Sequence, residues 1–193
     1  MFHFTLTFFE GPHTSADVIN AFFVYSFCGW VMECLVIRRE KGHWENRGFV
    51  HLPLCIIYGF GAMIGYALLR PISHNYVLLY FTGAFLATIF EYLTGRLMLR
   101  LFGKLWWDYS EKRLNYHGIL CLESTVAWGA IAVLVFALVH QMVFSLVRRV
   151  PNPAAPLLAG GLCLAYLVDF VVSARSALHR ARRSDEEEIY DPS

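Results

Sequence analysis

Charge is scarce in this chain. Lys, Arg, Asp and Glu make up 16% of its 193 residues, against about 25% in an ordinary soluble domain. A basic excess is missing as well: 16 Lys and Arg oppose 15 Asp and Glu, and without a basic face a nucleic-acid partner is excluded. Five cysteines are present, Cys28, Cys34, Cys55, Cys121 and Cys163, and no pair has C-x-x-C spacing, which removes zinc and redox motifs. They lie in or beside apolar stretches and read as buried free thiols acting as small hydrophobes. No G-x-x-x-x-G-K-[ST] loop, H-E-x-x-H pair or N-x-[ST] sequon occurs, so no cofactor, metal or nucleotide is implied. Residues 1–17 hold no Lys or Arg; lacking the basic region of a signal peptide, they read as a mature segment outside the membrane.

What abounds is apolar residues, 57% of the chain, with a mean hydropathy of +0.48. That excess excludes a disordered chain and points to the bilayer. Five stretches have about the length and composition of a membrane span: roughly 18–37, 53–69, 76–95, 119–144 and 157–174. The second is short. No strand-like alternation occurs, so the spans are helices, which satisfy every backbone polar group within the segment. The expectation is an all-α integral membrane protein with five transmembrane helices. Residues 18–144 form a four-span core, 145–156 an outer loop, 157–175 the fifth span, and 176–193 a charged, disordered cytosolic tail.

Orientation follows from the cations. Arg38, Arg39, Lys41 and Arg47 lie in the first loop, Arg96, Arg100, Lys104, Lys112 and Arg113 in the third, and Arg175, Arg180, Arg182 and Arg183 after the last span. Only Arg70, Arg148 and Arg149 lie on the other side. Thirteen against three places the N-terminus outside and the C-terminus in the cytosol, most simply in the plasma membrane. The stretch 96–107 carries Arg96, Arg100 and Lys104 on one stripe among Leu, Phe and Trp. It reads as an amphipathic helix in the inner headgroup region, bound to anionic lipid, with Trp106 and Trp107 as anchors.

Spans one and two resemble spans three and four. Each pair has one carboxylate near the cytosolic end of its first helix, Glu33 or Glu91. A basic loop with tryptophan follows, then an Asn and a Gly, Asn46 and Gly48 or Asn115 and Gly118. An aromatic-Gly pair comes ten residues later, Tyr58-Gly59 or Trp128-Gly129. Both glycine and aromatic positions are offset by the same number of residues. This is a parallel tandem repeat, and such repeat interfaces are where transporters place substrate.

Acids inside spans are expensive and face protein or water. Glu33, Glu91, Glu123 and Asp169 all fall in the cytosolic third, bordered by Asn46, Arg47, Asp108, Tyr109 and Asn115. These nine are the candidate substrate-binding residues. They either line a polar cavity or pair with basic neighbours and hold helices in register.

The run Asn46-Arg47-Gly48-Phe49, Pro53 and Ile57-Tyr58-Gly59-Phe60-Gly61, together with Glu91-Tyr92, Phe102-Gly103, Trp106-Trp107-Asp108-Tyr109-Ser110, Asn115, Gly118 and Trp128-Gly129, resembles the signatures of the CmpB/transmembrane-protein-229 family. The resemblance covers roughly residues 20–140 and leaves out the fifth span. It implies a permease component of a type IV ABC transporter, whose ATPase would be a separate subunit. The motif positions that carry over are Glu33, Asn46, Arg47, Glu91, Asp108, Tyr109 and Asn115. Leu99, Ile119, Ile56 and Leu52 depart from the family pattern, the first two where an acid and a base are common. The resulting expectation is a permease-like component for a small solute, self-associating because five helices make a small transporter. The alternatives are a membrane scaffold subunit without transport activity and a membrane enzyme using the cytosolic-side carboxylates.

Overall fold

The computed structural model describes residues 14–190, so most of the expected outer segment 1–17 lies outside the described residues. The described chain is helical apart from loops and one two-residue hairpin. Four helical stretches are long and apolar enough to cross a membrane: Ser15–Arg39, Tyr76–Phe102, Leu122–Val147 and Ala155–Ala177.

Helix α1 (Ser15–Lys41) opens on a capping box, Thr14 accepting from the Asp17 N–H while Asp17 accepts from Thr14 N–H, the reciprocal pairing that satisfies orphan donors. It ends at Gly42 in the left-handed region, with Arg38, Arg39 and Lys41 in its last turn. Helix α3 (Tyr76–Phe102) starts under an Asn75 cap, has the same 27-residue length and ends on left-handed Gly103. Glycine there closes a helix at no steric cost.

That glycine corrects the expected interfacial helix at 96–107. Residues Arg96 to Phe102 are the last turns of α3, and the helix stops at Gly103, so Lys104, Trp106 and Trp107 belong to a loop. Both tryptophans are half-buried against the protein. Trp106 packs on Phe49 and Phe102, and Trp107 Nε1 donates to the Ile119 carbonyl at 2.8 Å.

The region expected as span two forms the shorter helix α2 (Ile56–Leu69), followed by a 3-10 turn at Arg70–Ile72. It is short because it begins beside the middle of α1. From Gly42 the chain runs back along α1 without helix until Cys55 N–H donates to the Ser26 carbonyl at 3.0 Å, about 22 Å from the end of α1 at 1.5 Å per residue. Val50 and Leu54 bury against Phe23 on the way.

After α3 the chain returns through the hairpin β1 (Asn115–Tyr116) and β2 (Leu120–Cys121), antiparallel with Asn115 opposite Cys121. Helix α4 (Leu122–Leu134) passes through a π-turn at Val135–Val139 into α5 (His140–Val147). Helix α6 (Ala155–Tyr190) continues past the expected boundary at 175; no Gly or Pro stands between Gly161 and Tyr190 to stop it.

The core is small and threads between helices. Ala21 and Tyr25 of α1 meet Val143, Phe144 and Val147 of α5. Leu69, Leu79 and Phe136 join α2, α3 and the π-turn. The outer faces remain apolar: Val77, Phe81, Phe85 and Leu93 on α3, and Leu157, Leu164 and Val168 on α6, are exposed. So are Cys28 and Cys163, whereas Cys34 and Cys121 are buried. The expectation of buried thiols therefore holds for Cys34 and Cys121 and fails for the exposed Cys28 and Cys163, which lie on outer apolar helix faces.

Candidate functional site

Glu91 stands in the middle of α3 and is only 6% exposed. Three neutral groups donate to it: the Tyr109 hydroxyl to Oε1 at 3.2 Å, Trp128 Nε1 to Oε2 at 3.1 Å and the Ser124 hydroxyl to Oε2 at 3.3 Å. Tyr109 comes from the loop after α3, Ser124 from the first turn of α4, and Trp128 one turn further along. A carboxylate fed by several donors keeps its lone pairs occupied away from water.

Half-buried Glu33 is arranged likewise on α1, accepting from the Tyr58 hydroxyl of α2. Among the described residues, neither acid pairs with Lys, Arg or His. The Tyr58 and Trp128 rings lie 5.9 Å apart and join the two acids into one polar, aromatic cluster. Burial first, then the Glu91 charge, raises the ionisation of Tyr109 well above the ordinary phenol range. Its hydroxyl is thus kept as a donor.

The remaining candidates separate. Arg47 reaches from the first loop to the third, donating from Nη2 to the Trp106 carbonyl at 2.5 Å, with Glu45 at 3.8 Å from Nη1. Its Nε is buried and unpartnered. Asn46 accepts from Trp30 Nε1 at 2.7 Å and from Gly48 N–H. Asn115 has the same job in the third loop: its carboxamide donates to the Ser110 and Lys112 carbonyls and accepts from Gly118 N–H. Asp108 is exposed and bonds to the hydroxyl and N–H of Ser110 at 2.6 and 2.8 Å. Those two bonds hold its carboxyl below the ordinary carboxylate range. Glu123 lies at the surface, 3.1 Å from Lys112. Asp169 belongs to a second cluster, where Leu52 N–H donates to it at 2.6 Å, His51 Nδ1 lies 2.7 Å away and Ser173 is adjacent.

The structure therefore brings Glu33, Glu91 and Tyr109 together. It sets Asp169 beside the first loop, uses Asn46, Arg47, Asp108 and Asn115 to order the two loops, and leaves Glu123 outside. Tyr58, Trp128, Ser124 and His51 are the partners that the sequence reading did not count among the site residues. The repeated aromatic-Gly pair marks two of them, since a repeated aromatic opposite a repeated acid is a donor facing an acceptor. Ser124 and His51 carry no such signal. A half-open cavity of about 270 Å³ lies between residues 46 and 48–51 of the first loop and Ser173 and Ser176 of α6.

Residues 20–174 match the model of the CmpB family, described as "putative ABC-transporter type IV". The match extends beyond the motifs that end at Trp128-Gly129 and takes in the apolar part of α6, which the sequence comparison of motifs had left out. No curated protein and no solved structure matches. With residues 20–174 of its 193 matched by the family model, this helical membrane protein belongs to the CmpB family.

Proposed function

We propose that the chain is the permease-like component of a transporter for a small solute, with Glu33, Glu91 and Tyr109 forming its polar site. The observation that carries this reading is Glu91, a nearly buried acid held among apolar helices by three neutral donors and, among the described residues, no cation. An ionisable residue at membrane depth is a functional candidate by default. A proton or a solute amine would supply the positive charge that the protein does not.

The same reading takes five crossings, α2 and the returning first loop together making the second. It takes a parallel repeat, supported by the equal lengths and glycine ends of α1 and α3 and by the Glu33–Tyr58 and Glu91–Trp128 bonds. The cation asymmetry supports an outer N-terminus, a cytosolic C-terminus and a cytosolic-side site in the plasma membrane. Transport energy comes from a separate ATPase subunit, anionic lipids meet Arg96 and Arg100, and copies of the chain associate.

The test is purification from native membranes followed by uptake of labelled small amines and amino acids into proteoliposomes. Co-purification of an ATPase and ATP-dependent uptake lost in Glu91→Gln are expected. A flux-silent preparation with no associated ATPase overturns the reading. One observation favours a scaffold role instead: the donors to both acids come from the protein, and the cavity lies elsewhere. Unchanged complex formation and activity in Glu33→Gln/Glu91→Gln would establish that role.

A further inference from the structure

The first loop does something unusual for a membrane protein. Its irregular backbone packs beside the middle of α1, where Cys55 bonds to Ser26, about 18 Å along the helix from Arg38. Asp169, which accepts from Leu52 N–H, lies about 9 Å along α6 short of Arg175. Against a hydrocarbon core of about 30 Å, on the topology proposed above, both levels lie within the membrane. Non-helical backbone is tolerated there only where protein buries it or where it lines water. Protein buries Val50 and Leu54. On the other side His51, tethered to Asp169 at 2.7 Å, leaves 73% of its side chain exposed, and an imidazole turned to lipid would be costly. That open side is the cavity.

We propose that this cavity is a water-filled vestibule, open from the face bearing the basic loops, that receives a small cationic hydrogen-bonding solute. The volume, about 270 Å³, falls just below the roughly 300–1,000 Å³ of pockets for drug-sized ligands. The wall offers an imidazole, two hydroxyls and the Asn46 carboxamide. Among the described residues no Lys or Arg lines it, and the Asp169 carboxylate stands behind Ser173 and His51. An anion would find hydrogen-bond donors there but no Lys or Arg among the described residues, and the Asp169 charge would oppose it. Asn46, bonded to Trp30 one turn before Glu33 on α1, connects this wall to the carboxylate cluster.

The test is cysteine accessibility in sealed vesicles of the full chain, run beside the unsubstituted protein with its native cysteines. His51→Cys is treated from each face with a cationic and an anionic methanethiosulfonate, each rate normalised to a free thiol. Val168→Cys, exposed on α6 next to Asp169, is the lipid-facing control. His51→Cys should react at least tenfold faster than Val168→Cys, only from the basic-loop face, and at least tenfold faster with the cation. Asp169→Asn should abolish the charge preference. Reaction as slow as that of Val168→Cys, or from the opposite face, overturns the vestibule. Equal rates or an anion preference overturn the solute class. Ser173→Cys reads the same wall if His51→Cys fails to fold. Labelled His51→Cys in a flux-silent protein would defeat the transport reading alone, and unlabelled His51→Cys in a flux-competent one the vestibule alone.

Discussion

At the residue scale the chemistry centres on Glu91. In Glu91→Gln the new carbonyl can accept from Trp128 and Ser124 while the amide donates to the Tyr109 oxygen, so only the Tyr109 hydroxyl proton loses its acceptor. The variant should unfold within about 1 kcal/mol of the parent in detergent. Glu91→Leu leaves buried donors unmet, and a loss of about 1–3 kcal/mol is expected; equal melting of the two variants would show that the donors are not committed to the acid. Gly118 is the other sensitive position. Its φ is +66°, and a Cβ there would stand 2.6 Å from the Ser110 hydroxyl oxygen. Gly118→Ala should cost about 1–3 kcal/mol, read as a lowered melting temperature. Both residues were legible as motif positions. What each touches was not, because Tyr109 and Ser124 lie 18 and 33 residues from Glu91, and only the packing of α3 on α4 brings them together.

At the scale of elements, two loops carry the order. Asp108 holds the turn after Trp107 through Ser110. Its folded pKa is depressed, so this contribution is present above the ordinary Asp value of about 3.9 and is lost as pH falls through the lower folded value. Acidification below about pH 4 should loosen the turn and change the emission of Trp106 and Trp107, and Asp108→Asn should remove that acid transition. The first loop hangs on Asp169. In Asp169→Ala, hydrogen exchange over residues 46–55 should rise about tenfold or more while that of α3 stays constant, since a bond to a charged group contributes about 1.5–3 kcal/mol. Unchanged exchange would mean that Val50 and Leu54 suffice. The apolar pattern located the starts of α1, α3, α4 and α6 to within three residues, but put the ends of α3 and α6 at 95 and 174, short of Phe102 and Tyr190. It misread 96–107, where the basic stripe continues α3 until Gly103 ends it, and it offered no sign that the segment before α2 runs back along α1.

For the whole molecule, the exposed apolar belt of α3 and α6 and the segregated cations give a direct expectation. An alkaline phosphatase reporter fused in the loop between Arg148 and Ala155 should be active, and one fused near Glu111 inactive; the reverse pattern would invert the proposed topology. Composition and order alone determine that the chain is helical and membrane-bound, where its long helices lie and which family it joins, because burial in lipid selects residues one at a time and helix hydrogen bonds are local. Tertiary structure alone decided that Glu33 and Glu91 take aromatic donors, that Glu123 stays at the surface, and that Asp169 clasps a loop 117 residues away in sequence. Those outcomes depend on which helix faces meet, and inside a uniformly apolar stretch no periodic polar face announces the choice in advance.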